Sequence, residues 1–310
     1  MEQALLDTSK FKIYSMSIDS RFADQIYKGT GDFMIRLPST YRNIMRIAVS
    51  SVELPLVEYL FSEEHGNLNL SVSVATTDYD GFTPPIFGPW ANLRITAGNY
   101  SSSSLAAEIE RVLQTVDPNF MCTLDPIAGF IQIHYDGSRF FIVNLTSNNS
   151  TIAARPTHWG LGYYLGIRTK GPITSTGAEA GDFVQNQYAV MGTAILLTQP
   201  IPYYLLQLQC PDMLENITHR VSAGASVPAF AKLVLRDGVY VLQFVDGGDW
   251  MRREYTFLAP SNVSQLRIKI LDPYGEIVNM QGMDWSLTFE MYEVVNQRTY
   301  RGLAETYERP

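Results

Sequence analysis

The stretch ILDPYGEIVNMQGMDWSLTFEM, Ile270 to Met291, sets Asp272, Glu276 and Asp284 with two glycines between two apolar runs. Acids gathered on a loop can mean an active site, a metal site or only a turn, and the flanks decide between them. Leu266, Ile268 and Ile270 alternate with Gln265, Arg267 and Lys269, and Trp285, Leu287, Phe289 and Met291 alternate with Ser286, Thr288 and Glu290. A period of two is that of a strand with one dry and one wet face. Asp272-Pro273-Tyr274-Gly275 places Pro second and Gly fourth, as a type I turn prefers. Asp there bonds its own backbone two residues on. Gly282 and Asp284 supply a second bend. The stretch therefore reads as a hairpin corner between two strands, its acids spent on turn chemistry, and not as an active site.

The same alternation recurs along the chain. NLNLSVSV (67–74) puts Leu68, Leu70, Val72 and Val74 on one face and Asn and Ser on the other. Further strands are expected at 33–37, 44–54, 93–96, 130–135, 139–145, 194–198, 203–209, 230–235 and 239–245. Asp80-Gly81, Asp136-Gly137, Asp237-Gly238 and Asp246-Gly247 mark turns between them. One segment reads as helix: LAAEIERVLQTV (105–116) spaces Leu105, Ile109, Val112, Leu113 and Val116 on one face. A serine run precedes it for capping, and Asp117-Pro118 stops it. Short strands, frequent turns and one helix argue for a mainly β chain, an antiparallel β-sandwich, and against the strand–helix rhythm of an α/β enzyme. Residues 150–187 break the pattern and read as a long irregular surface excursion. Met1–Lys10 and Gln297–Pro310 read as polar tails.

Composition narrows the function. Of 310 residues, 17% are charged, below the roughly 25% of soluble domains, which suits faces covered by neighbours. The net charge of −8 and the absence of a Lys/Arg run argue against nucleic-acid binding. The first residues lack a secretion signal, and the apolar run Tyr188–Leu197 is too short to span a bilayer. Cys122 and Cys210 form no C-x-x-C pair and read as free thiols. The four histidines, His65, His134, His158 and His219, are scattered away from any metal spacing. DYDG (78–81) lacks the rest of a calcium loop. GLGYYLG (160–166) is not a phosphate-binding glycine pattern, and SAGAS (222–226) is not a nucleophile elbow. No pair of carboxylates is nominated for glycoside hydrolysis. The chain is expected to be no enzyme, with no catalytic residue, cofactor or metal.

Several segments resemble minor capsid and penton proteins of large nucleocytoplasmic DNA viruses. LRIKILDPYGEIVNMQGMDWSLTFEMYEV (266–294) resembles their closing segment of strand, Pro/Gly turn and Asp-led Ser/Thr-Phe-Glu strand. SIDSRFAD (17–24) and DFMIRLPSTYRNIMRIAVSSVELP (32–55) are similar to their opening strands, although Phe22-Ala23 stand where Asp-Arg often follows the arginine. ITAGNYSSSSLAAEIERVLQ (95–114) is similar to their strand end, Gly-Asn-Tyr and helix.

The resemblance implies a jelly-roll β-sandwich with an inserted α+β lobe carrying the helix. Residues 1–55 would begin the jelly roll, 56–189 form the lobe with its long loop, and 190–310 complete the roll. It implies a structural component of an icosahedral capsid, the vertex (penton) capsomer being favoured over a cementing protein beneath the facets. Expected partners are the major capsid protein, other minor capsid proteins and, at a vertex, four more copies of the chain, in a virion assembled in host cytoplasm. Neither nucleic acid nor direct membrane insertion is expected. Trp159, Tyr163, Tyr164, Tyr300 and Tyr307 are the candidate interface anchors, since aromatic side chains dominate well-packed interfaces. The alternatives are a carbohydrate-binding β-sandwich on a virion or fibre surface and a hydrolase on a sandwich scaffold.

Overall fold

A computed structural model describes residues 11–78, 82–125, 127–137, 139–146, 160–168, 171–177, 188–198, 201–210, 217–222, 225–235, 242–245 and 253–295. The elements are β1 (Phe11–Asp19), a 3-10 turn (Ser20–Phe22), β2 (Gln25–Ile26), β3 (Asp32–Pro55), β4 (Asn69–Val74), β5 (Ala91–Arg94) and α1 (Ser102–Leu113). Then follow β6 (Phe120–Leu124), β7 (Ile131–Tyr135), β8 (Phe141–Asn144), α2 (Leu161–Tyr164), β9 (Pro172–Thr174), β10 (Thr176–Gly177) and β11 (Tyr188–Met191). The chain continues with β12 (Tyr203–Gln209), β13 (Ile217–Ser222), β14 (Ala225–Ala229), β15 (Ala231–Val234), β16 (Leu242–Val245), β17 (Arg253–Leu271) and β18 (Ser286–Val294). Among the described residues no helix is long and apolar enough to cross a membrane.

The chain divides into two compact units, 1–58 with 201–310, and 59–200. These limits differ from 55/56 and 189/190. β11 pairs with β7, so the residues up to Pro200 stay with the inserted unit.

The first unit is built on two long strands, β3 and β17, that change partners along their length. The second half of β3 lies between β18 and the start of β17: Ile47 faces Met291 on one side and Tyr255 on the other. The first half of β3 lies between β2 and the end of β17, with Phe33 opposite Ile26 and Ile268. β1 extends the first group beyond β18, and β16 joins it at Val52–Pro55. β12 and β15 extend the second group beyond β17.

Between the two groups both strands carry extra residues. Arg36 and Tyr41 on β3 span only Gln265 to Val263 on β17, whereas Ile44 and Arg46 span Ser261 to Thr256. Such bulges bend a strand. Pro38 and Pro260, which cannot donate to a ladder, sit within them, and Asn43 beside the first takes a left-handed φ of 54°. The sheet therefore folds over on itself. Ile18, Ile47, Val52, Leu287 and Phe289 of one layer share a single apolar core with Phe33, Leu206, Leu233, Leu266 and Ile268 of the other. One layer runs β1-β18-β3-β16/β17 and the other β3-β17-β12-β15. This antiparallel strand order is that of a jelly roll.

One expectation is corrected. β17 and β18 form no hairpin, because they flank β3 from opposite sides. Residues 272–285 are a crossing connection from one layer to the other, with Val278, Met280 and Trp285 buried in the core. The turn itself forms as read: Gly275 N–H donates to the Asp272 carbonyl (3.1 Å), while Tyr274 and Glu276 N–H donate to Asp272 Oδ1 (2.8 Å each). Of the Asp-Gly turn signals, Asp136-Gly137 lies among the described residues, between β7 and β8. Gly81, Asp80 and the two later pairs lie outside them.

The second unit has its own core. Two antiparallel sheets, β5-β4-β8-β9 and β10-β11-β7-β6, bury Leu70, Val72, Phe141 and Val143 with Phe120, Ile131, Ile133 and Val190, closed by Leu105, Ile109 and Leu113 of α1. Ser101 and Ser104 form a reciprocal cap at the helix start. Glu108 accepts from the Thr96 N–H and hydroxyl (2.9 Å each) and pairs with Arg111 at 2.7 Å. Glu110 accepts the Cys122 N–H on the outer edge of β6 at 2.9 Å. The expected strand at 194–198 is absent, and most of β1, β2, β6, β9, β10, β11, β13, β14 and the first half of β17 were not anticipated.

Two outcomes follow for this unit. At Gly166, with φ +73°, a Cβ would lie 1.9 Å from the Ala194 carbonyl oxygen. Gly166→Ala should destabilise by on the order of 2 kcal/mol or more in urea unfolding, whereas Gly171→Ala, strained but in open space, should cost less. The second outcome concerns pH. Arg111 and the Thr96 bonds hold the Glu108 carboxyl down at about 2, from an ordinary 4.5. The unfolded chain binds that proton first, so the stabilisation is whole above pH 4.5 and is lost as pH falls towards about 2. Thermal melts of Glu108→Gln should show a shallower loss across that window than the unsubstituted protein.

Candidate functional site

The aromatic residues singled out in the sequence do not gather at one place. Trp159, Tyr300 and Tyr307 lie outside the described residues. Tyr164 is 3% exposed, its ring 5.2 Å from that of Phe61 in the core of the inserted unit. Tyr163 is half-buried on the same short helix, with the Arg168 guanidinium 5.0 Å over its ring. Residues 160–167 of the supposed surface excursion are thus largely internal, while Arg168, Pro172 and Thr174 are exposed. Leu161, Tyr164, Leu165 and Ile167 fall at helical spacing and bury together.

Apolar side chains do reach solvent elsewhere. In the jelly-roll unit Phe22, Ile26, Tyr27 and Met283 are exposed. All lie near the β2 edge, where the Thr30 hydroxyl donates to the Met283 carbonyl at 2.7 Å. In the inserted unit the hairpin continues past β4 and β5 through Ala75 opposite Phe87. Its far part exposes Phe82 (93%) and Ile86 (68%), and Trp90 (45%) is exposed on the return just before β5. The sequence signal was GFTPPIFGPW (81–90), aromatics inside a proline-rich turn. Among the described residues no group of three or more His, Cys, Asp or Glu is placed to hold a metal ion. Cys122 is buried, its thiol pushed up by burial, and Cys210 is half-buried; neither is in a disulfide.

The jelly-roll unit also holds one ion pair that positions an edge. Asp32 opens β3 and is buried. Both its oxygens accept from Arg267 of β17, at 2.8 Å each. The Arg267 guanidinium lies 4.0 Å over the Tyr27 ring, and the Asp32 carbonyl accepts the Tyr27 N–H at 2.9 Å. This bidentate pair and stack fix the turn into β3 against the adjoining strand. Alternation alone placed Arg267 outward, but nothing in the sequence paired it with Asp32, since register across 235 residues is not a local signal.

The solved structures similar to this chain include two that come from viruses. One is the mavirus penton protein, with a TM-score of 0.47 and 9% identity, covering 92% of this chain and 99% of that one. The other is a chain of the Sputnik virophage structure, with a TM-score of 0.41 and 11% identity, covering 92% and 98%. No protein-family profile matches the sequence, and no curated protein sequence matches it.

The Asp32–Arg267 pair generates an asymmetric outcome. The Asp32 side chain is 3% exposed and that of Arg267 36%. Arg267→Met strands a buried carboxylate and should cost about 2–4 kcal/mol. Asp32→Asn leaves a guanidinium that water can reach and should cost about 1–2 kcal/mol. Urea unfolding of the two variants checks the order.

Proposed function

We propose that this chain is a non-enzymatic structural component of an icosahedral viral capsid, with the vertex capsomer as the favoured position. The observation that carries the reading is the strand order of the first unit, a jelly roll into which residues 59–200 are inserted between β3 and β12. Jelly rolls build viral capsids and also lectins. Fold alone does not separate these uses, and the capsid-like segments at 17–24, 32–55 and 266–294 favour the first, since all three fall within this unit. The low charged fraction supports a surface made to be covered, and the net charge of −8 opposes genome contact. Partners would be the major capsid protein, other minor capsid proteins and copies of the chain itself, in a particle assembled in host cytoplasm. Trp159, Tyr163, Tyr300 and Tyr307 remain candidate anchors for those contacts.

A second reading rests on the exposed Trp90, an aromatic side chain of the kind a carbohydrate-binding module presents. Glycan-array binding lost in Trp90→Ala would favour it.

The mass of the purified protein in solution tests the first reading, together with its presence in purified particles. A pentamer that co-purifies with the shell is the expected result. A monomer present in particles would move the role to cementing, and absence from particles would overturn the capsid reading.

A further inference from the structure

The jelly-roll unit leaves one long strand edge open. Among the described residues β1 ends the sheet and pairs on one side only, with β18, in nine successive residue pairs without a bulge. A free edge shows a row of unpaired N–H and C=O groups, and proteins blunt such edges with charge, proline, bulges or shortness. The other described edges of this sheet follow that rule: β2, β15 and β16 have two to four residues, and the first half of β17 carries the bulge with Pro260. β1 does not. Lys12 and Asp19 stand near its ends, and Ile13–Ile18 between them hold neither charge nor proline. Tyr14 and Met16 pack against the core yet stay half-buried, with no described strand beyond them, and Ile13 is 47% exposed on the outer face.

We propose that residues 296–310 of one copy add an antiparallel strand to the β1 edge of a neighbouring copy. This rests on the structural-component reading above and names a contact that would join its copies. The length of the segment and the place where it starts select it. Val294 stands opposite Phe11 in register, so residues 296–310 leave the sheet beside the start of β1. Fifteen extended residues reach about 50 Å and the nine-residue edge needs about 30 Å, which leaves about 20 Å to cross to a second copy.

Direction decides between the segment's own copy and the next. Along its own β1 it could run only from the Phe11 end towards Asp19, parallel to that strand, and parallel pairing is the weaker. On a neighbour it can run antiparallel. Residues 1–10 fit less well, because a turn back onto β1 leaves fewer than nine of them to pair. Thr299, Tyr300, Thr306 and Tyr307 are residue types that strands favour, and the segment's one proline is the last residue, Pro310. In such strand addition backbone bonds give affinity and the side chains along the edge, here Tyr14 and Met16, give specificity. The contact joins unlike surfaces of identical copies, so it is heterologous and closes into a ring when the rotation allows.

Truncation and proline substitution test this. The protein ending at Val295 should self-associate at least about tenfold more weakly in sedimentation velocity, because the added strand is gone. Leu303→Pro with Ala304→Pro keeps the chain length and should act in the same direction. The N–H groups of consecutive strand residues point to opposite sides, so one of the two must face the ladder. Hydrogen exchange reads the edge itself. The amides of residues 13–17 that point away from β18 should exchange slowly in the associated full chain and faster in both variants. Circular dichroism confirms that each variant folds. A truncated protein that associates as tightly as the full chain, edge exchange that truncation leaves unchanged, or a full chain that stays monomeric would overturn the strand addition. Protected amides in a monomer would assign the added strand to the same copy. None of these touches the capsid reading, which fails only if the protein is missing from purified particles.

Discussion

The architecture depends on one backbone constraint, the simultaneous bending of two paired strands. β3 and β17 stay hydrogen-bonded to each other at both ends, yet each carries its surplus residues at a different place, β3 at 37–40 and β17 at 257–260. A single bulge would tilt one strand and break its ladder. Two offset bulges let the pair turn together, so hydrogen bonding resumes beyond the corner. Proline fits here because a bulge leaves a residue whose N–H the ladder does not need. With the corner made, a single sheet becomes two layers and the alternating apolar residues of both halves face one another. The core residues Leu37 and Phe257, adjoining the bend, are buried in it.

The corner also explains how the chain tolerates a large insertion. β3 ends in one layer and β12 begins in the other, so their connection must cross between layers whatever its length. Closure entropy rises only with the logarithm of loop length, and the inserted residues bury their own core of Leu70, Ile109, Phe141 and Ile133. Short polar bonds hold the neck on that unit's side: Leu60 N–H donates to Asn99 Oδ1, and Asn67 Nδ2 to the Leu60 carbonyl, at 2.8 Å each. Phe61 and Gly98 exchange backbone bonds beside them. Asn67, fully buried, has its side chain committed to this neck, a positional role that its place beside NLSVSV did not signal.

Legibility in the sequence followed the range of the interaction that fixed each element. Alternation showed β4, β12, the second half of β17 and β18, because each has one buried face, and capping chemistry showed α1. The Asp272 turn was readable because its three bonds span four residues at most. What that turn connects was not, since partner choice is set by β3, more than two hundred residues earlier. The first half of β17 was missed because RREYTFLAPSN loses its alternation at the bulge. Pro38 and Pro260 mark where the two strands bend together, which only the pairing reveals. GLGYYLG was read as surface because glycines and tyrosines suggest a loop. Its Gly162 is instead there for closeness, since a Cβ would meet the Ile167 carbonyl at 2.7 Å.

A sandwich whose core uses every inward position has only its outer faces, edges and loops left for function. On the outer faces the residue type is free of packing demands, so charge there reports what the face meets more directly than core composition does. The Asp32–Arg267 pair shows the distinction. It is drawn into the structure through two bonds and the Tyr27 ring, and its charges largely cancel. On the same face Arg36 stands opposite Gln265, and Lys269 stands between Gln207 and Asp32 in register. Lys269 therefore adds a second cation opposite the carboxylate that opens β3.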